Sequence, residues 1–144
     1  TACDVVHTGT QNKKDQNRRA TEMPKKIMVV DDSRIAQLQL QEMLSGTDYQ
    51  VVACCQNGED ALAMYETTQP DLVTMDIVMP GMDGLQAARL LLQAHADARV
   101  LMVSSLAYDD TVNEAKDIGA KGFVYKPFER EQLLQAVETA FADQ

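Results

Sequence analysis

Five short apolar runs, each followed by a stretch with helical periodicity, constrain this chain more than any other feature. Ile27-Met28-Val29-Val30 is the first run, continuous and apolar as expected of a strand buried on both faces. Val51-Val52-Ala53-Cys54-Cys55, Leu72-Val73-Thr74-Met75, Val100-Leu101-Met102-Val103 and Gly122-Phe123-Val124-Tyr125 are the others. Between them the pattern turns helical. Ser33 can cap a helix running to Leu44, with Gly46 past its end and Ile35, Leu38 and Met43 as its inward stripe. Asn57-Gly58 opens a helix carrying Ala61, Leu62 and Tyr65, which stops before Pro70. A loop with Pro80, Gly81 and Gly84 leads to a third helix with Leu85, Ala88, Leu91 and Leu92 inward. Thr111 to Ile118, closed by Gly119, is a weaker fourth helix. Glu129 to Ala142 is the fifth, with Leu133, Leu134, Val137 and Phe141 inward.

Such a strict β-α alternation means an α/β fold, a doubly wound five-stranded parallel sheet with helices on both faces and right-handed crossovers. Open parallel sheets place their ligand sites outside the carboxyl ends of the strands. The first strand here ends in Asp31-Asp32, the third in Asp76, the fourth in Ser104 and the fifth in Lys126. Three converging carboxylates repel one another and favour protonation unless a cation compensates. A hard divalent ion, Mg²⁺, suits a site of few carboxylates and waters. With Lys126 and a hydroxyl nearby, the set is equipped for phosphoryl transfer, with Asp76 as an in-line carboxylate nucleophile. Any one of these residues alone reads more simply as solvated surface or helix cap. The conjunction of four strand ends is what points to a site. No GxxxxGK[ST] loop and no GxGxxG after the first strand is present.

Composition narrows the partners. Net charge is −9, unevenly spread: residues 1–26 hold six Lys/Arg against three Asp/Glu, and residues 27–144 hold seven against nineteen. An acidic surface argues against direct nucleic-acid binding. No apolar run nears the roughly 20 residues of a membrane span, and no signal-peptide core is visible, so no membrane insertion is expected and the cytoplasm is the default location. The three cysteines, Cys3, Cys54 and Cys55, lack framework spacing. The adjacent pair would point to opposite faces of a strand and reads as packing. His7 and His95 lack metal-ligand spacing and read as solvated. Residues 1–23 are polar and aperiodic, a tail that is either expression-derived or a poorly structured extension, with Met23 as a natural start and 24–144 as the domain.

The segments VVDDS (29–33), PDLVTMDIVMPGMDG (70–84), MVSS (102–105) and GFVYKPF (122–128) closely resemble the response-regulator receiver family, specifically its single-domain chemotaxis (CheY-like) type. The resemblance covers roughly Pro24 to Phe141. It implies a flavodoxin-like (βα)5 fold with strand order 2-1-3-4-5. It implies Asp76 as phosphoacceptor, and Mg²⁺ held by Asp31, Asp32, Asp76 and the backbone carbonyl of Val78. Ser104 and Lys126 would contact the phosphoryl group, and the Lys126–Pro127 bond would be cis. Phe123 matches the aromatic switch residue, which turns inward as the Ser104 hydroxyl moves toward the phosphate. That position often holds tyrosine, so an output contact needing a phenol is not met by Phe123. Val78 and Leu106 match variable positions that tune dephosphorylation. Both are apolar and cannot position an attacking water, so slow dephosphorylation is expected.

The implied function is a two-component phosphorelay switch, not an enzyme acting on a separate substrate. A histidine kinase would donate the phosphoryl group. The fourth helix, fifth strand and fifth helix would bind a downstream protein, with the flagellar motor switch as candidate target and chemotaxis as the pathway. Phe128 and Leu134 are candidate contacts on that face. A monomer or weak dimer is expected. The main alternative is a receiver module cut from a longer regulator with a separate output domain. A haloacid-dehalogenase-type phosphatase would want a second Asp where Val78 stands. A degenerate scaffold would not keep Asp31, Asp32, Asp76, Ser104 and Lys126 together.

Overall fold

The computed structural model describes residues 24–105 and 108–142. The polar tail with Cys3 and His7, and Leu106, lie outside the described residues. Among the described residues five strands and five helices alternate: β1 (Lys25–Val30), α1 (Arg34–Leu44), β2 (Tyr49–Cys55), α2 (Gly58–Thr68), β3 (Leu72–Met75), α3 (Gly84–Ala94), β4 (Val100–Ser104), α4 (Asp109–Ile118), β5 (Gly122–Tyr125) and α5 (Arg130–Phe141). All strand pairs are parallel, and the sheet order is β2-β1-β3-β4-β5. The expected architecture and order are therefore present. β2 starts two residues earlier than its apolar run, at Tyr49, and α4 starts at Asp109.

Because successive strand side chains face opposite ways, the central strands feed two cores. Met28, Val30, Val73, Met75, Val100 and Met102 pack with Ala61 and Tyr65 of α2 and with Leu85, Ala88 and Leu91 of α3. Ile27, Val29, Leu72, Leu101 and Val103 pack on the other face with Leu40 and Leu44 of α1 and with Leu133, Val137 and Phe141 of α5. Each fully buried large apolar side chain contributes about 1.5–3 kcal/mol.

Side-chain caps fix the helix starts except that of α4, whose N-cap Tyr108 makes no such bond; Ser33 is the cap its sequence suggests. Ser33, Asn57 and Asp83 each accept the backbone N–H three residues on, at 3.2, 2.8 and 2.8 Å. Glu129 and Gln132 cap α5 reciprocally.

The inward stripe of α1 differs from expectation. Ile35 is 70% exposed and Leu38 43%, whereas Gln37, Leu40, Gln41 and Leu44 are buried. Those four positions share one helix face. Gln37 can occupy it because its amide finds buried carbonyls to bond, as described below. Leu62, Leu92 and Leu134 are only partly buried. His95 is not simply solvated: it pairs with Glu66 and lies 4.6 Å from the Tyr65 ring. Of the adjacent cysteines, Cys55 is a free buried thiol, its pKa pushed up to about 12 by burial and by Asp60. Cys54 is disulfide-bonded, so simple packing describes Cys55 alone.

Candidate functional site

The carboxyl end of β1 delivers Asp31 and Asp32 to the same edge that receives Asp76 from β3. Their backbones are tied across the sheet: Asp31 N–H donates to Cys55 O at 2.9 Å, and Asp76 N–H donates to Val30 O at 2.9 Å. Oxygens of Asp31, Asp32 and Asp76 all lie within 4.8 Å of one another. Asp31 is 1% exposed and Asp76 7%, while Asp32 faces solvent.

Lys126, just past β5, closes the cluster. Its backbone N–H donates to Ser104 O at 3.0 Å, which fixes the end of β5 against the end of β4. Its ammonium Nζ donates to Asp31 Oδ2 at 2.7 Å and stands 3.6 Å from Asp76 Oδ2. The Lys126–Pro127 bond is cis, as the resemblance implied. Ser104 is buried at the end of β4. The structure thus brings Asp31, Asp32, Asp76 and Lys126 into one cluster, with Ser104 at the neighbouring strand end.

Among the described residues, one cation faces three carboxylates and does not balance them. Burial lifts the Asp76 carboxyl to about 6, and Asp31 and Asp32 push the same way. Lys126 and the Ile77 N–H, which donates to Asp76 Oδ1 at 2.8 Å, pull it down without winning. Oxygen-only donors short of positive charge fit a hard divalent cation. Asp31 Oδ1 also accepts Ser33 N–H at 2.9 Å, which orients the carboxylate at the start of α1.

The loop after Asp76 is held from behind. Gly84 N–H donates to Ile77 O at 2.8 Å. A Cβ on Gly84 would lie 1.8 Å from the Asp76 carbonyl oxygen, so only glycine allows this approach. Val78, two residues past Asp76, is 57% exposed. Phe123 is partly buried against the α3 side of the core, and its ring sits 5.2 Å from Tyr125. Phe128 and Leu134 are also partly buried against the core. The exposed apolar residue of β5 is Tyr125.

Gln37 carries no site signal in the sequence reading, yet it supports the cluster. It is 2% exposed, and its Nε2 donates to Asp31 O at 2.8 Å and to Cys55 O at 3.2 Å. Its Oε1 accepts from Arg34 at 3.0 Å. One amide therefore clamps the carboxyl ends of β1 and β2 under the acidic cluster. The one clue along the chain is its place four residues after Ser33, on the face shared with Leu40 and Leu44.

Comparison with known proteins agrees with this geometry. The Chemotaxis protein CheY of Bacillus subtilis (strain 168) is 38% identical over 115 residues, covering 80% of this chain and 96% of that protein. The Transcriptional regulatory protein PdtaR of Mycobacterium tuberculosis (strain CDC 1551 / Oshkosh) is 31% identical over 118 residues, covering 82% of this chain and 57% of that protein. Among solved structures, the CheX-CheY-BeF3-Mg+2 complex from Borrelia burgdorferi aligns with a TM-score of 0.82 at 32% identity, covering 85% of this chain and 93% of that one. Residues 27–138 match the response regulator receiver domain. Strand order, the acid cluster at the strand ends and this match all meet in one conclusion: the chain belongs to the response regulator receiver domain family and is CheY-like.

Proposed function

We propose that Asp76 accepts a phosphoryl group from the phosphohistidine of a histidine kinase, and that the chain signals by the change this makes on its β5 side. The observation that carries the proposal is the Lys126 ammonium set between Asp31 and Asp76 at the mouth of the carboxylate cluster. An Asp76 carboxylate oxygen attacks phosphorus, the P–N bond breaks, and the imidazole leaves with the electron pair. The product is an aspartyl phosphate. Burial and hydrogen bonding hold the nucleophile in one orientation, with its Oδ1 turned to the Ile77 N–H. Lys126 meets the charge on the transferring oxygens from beside Oδ2.

Asp31, Asp32 and Asp76, with the Val78 carbonyl, would hold Mg²⁺. When bound it supplies neutralising charge for the phosphoryl oxygens. The phosphoryl group brings roughly −2 charge and three acceptor oxygens. Ser104 and Lys126 move to meet it, which biases Phe123 and the start of α4. α4, β5 and α5 then present the altered face to a downstream protein. Apart from its own phosphorylation and slow self-dephosphorylation, the chain performs no catalysis.

Chemotaxis is the favoured pathway, because relatives named Chemotaxis protein CheY in several organisms are 32–38% identical. That reading carries with it a cytoplasmic location and the flagellar motor switch as target. Among the described residues no helix is long and apolar enough to cross a membrane. PdtaR, of which the chain spans 57%, supports a second reading as the receiver part of a longer regulator.

Intact mass after incubation with acetyl phosphate tests the chemistry. A gain of one phosphoryl group that needs Mg²⁺ and vanishes in Asp76→Asn is expected. No gain under any condition would sink the proposal.

A further inference from the structure

Phe123 carries a ring but no hydroxyl to the position from which this family's switch is read. The next side chain on the same face of β5 is Tyr125, because residues two apart along a strand point the same way. The two rings are in contact, 5.2 Å between centroids and tilted by 45°. Phe123 is partly buried against the core, whereas Tyr125 is 50% exposed. An inner ring and an outer ring thus make a tilted contact running from core to surface.

Tyr125 is also bracketed by the site itself. Its register partner across the β4–β5 pair is Ser104. Its chain neighbour is Lys126, whose backbone N–H donates to Ser104 O at 3.0 Å and whose ammonium reaches Asp31 and Asp76. Any adjustment of Ser104 or Lys126 toward a phosphoryl group is one residue away from Tyr125. Any inward movement of Phe123 removes the surface on which the Tyr125 ring rests.

We propose that Tyr125 is the output residue of the β5 face. Its phenol takes the place of the hydroxyl that Phe123 lacks, and its surroundings change with the occupancy of Asp76. The inference rests on Asp76 being the phosphoacceptor. What Tyr125 offers a protein partner is an apolar plate and a hydrogen-bonding edge on one side chain. Coupling runs through the Phe123 ring, so a side chain of similar bulk without the ring breaks it.

The chain has four tyrosines and no tryptophan, so biosynthetic 3-fluorotyrosine places a ¹⁹F label at only four residues. Tyr125 is assigned by the line lost in Tyr125→Phe. Tyr49 on β2, at the far edge of the sheet, and Tyr65 on α2 serve as internal references. The probe is beryllofluoride with Mg²⁺, whose own bound ¹⁹F signal reports whether Asp76 is loaded. In loaded samples the Tyr125 line should shift more than those of Tyr49 and Tyr65. In loaded Phe123→Leu the shift should collapse, with the reference lines in their native positions showing that the fold is intact. A loaded wild-type protein with an unmoved Tyr125 line overturns the role of Tyr125. An equal shift in loaded Phe123→Leu overturns the coupling and with it the proposal. Absence of a bound beryllofluoride signal in the wild type overturns the phosphoacceptor reading, and the inference falls with it.

Discussion

Replacing Asp76 with asparagine should stabilise the metal-free protein at neutral pH. The Asp76 carboxyl stands at about 6 in the fold against an ordinary 3.8, chiefly because it is buried, with Asp31 and Asp32 adding to the shift. A carboxyl raised in the fold holds its proton more tightly folded than unfolded. Stability from this group is therefore greatest at low pH, falls as pH rises from about 3.8 to about 6, and is flat above. At about 1.4 kcal/mol per pH unit, the gap corresponds to about 3 kcal/mol of destabilisation at pH 7. The asparagine side chain would keep an oxygen for the Ile77 N–H, now accepted at 2.8 Å, and would lose only the longer 3.6 Å approach of Lys126. In a chelator at pH 7.5 the variant should gain up to about 3 kcal/mol, roughly 10 °C in Tm for a domain of this size. Thermal and urea unfolding followed by far-UV circular dichroism, repeated down to pH 4, measures this. The advantage should close as the pH falls through 6, and Mg²⁺ at pH 7.5 should narrow it by stabilising the wild type. A variant no more stable than the wild type at pH 7.5, or an advantage independent of pH, would refute the account of a charge-deficient buried cluster.

Other perturbations probe the supports of the site. Gln37→Leu removes the donor from the buried Asp31 carbonyl, while the Cys55 carbonyl keeps the Asp31 N–H. It should cost about 1–3 kcal/mol in urea unfolding and weaken Mg²⁺ binding measured by calorimetry. Unchanged Mg²⁺ affinity would show that the clamp is only structural. Gly84→Ala places a methyl group 1.8 Å from the Asp76 carbonyl oxygen, so a loss above about 4 kcal/mol or failure to fold is expected. A stable, folded alanine variant would contradict that packing. Val78→Asn puts a polar side chain at the exposed position beside Asp76, and its aspartyl phosphate should decay faster than the wild type's. If decay is no faster, the expectation that the apolar Val78 slows hydrolysis is wrong.

The order of elements, the parallel sheet and the residues at the strand ends were legible in the sequence. Those are local matters: a continuous apolar run of four or five residues, bounded by turn residues, suits a buried strand, and a parallel sheet must gather its strand ends on one edge. Asp31, Asp32, Asp76 and Lys126 could be nominated for that reason alone. What lies inside α1 was not legible, because the face a helix buries depends on what it docks against. Ile35 and Leu38 point to solvent, and Gln37 goes inward because two strand-end carbonyls, one of them 18 residues along the chain from it, need a donor there. Nor does spacing reveal that Asp31 is buried while Asp32 is exposed, or that Lys126 binds Asp31 more closely than Asp76. The ring contact that ties Tyr125 to Phe123 is of the same kind. Periodicity along the chain sets which residues can share a surface. Closure of the sheet, with burial and the need to satisfy buried polar groups, decides which of them touch.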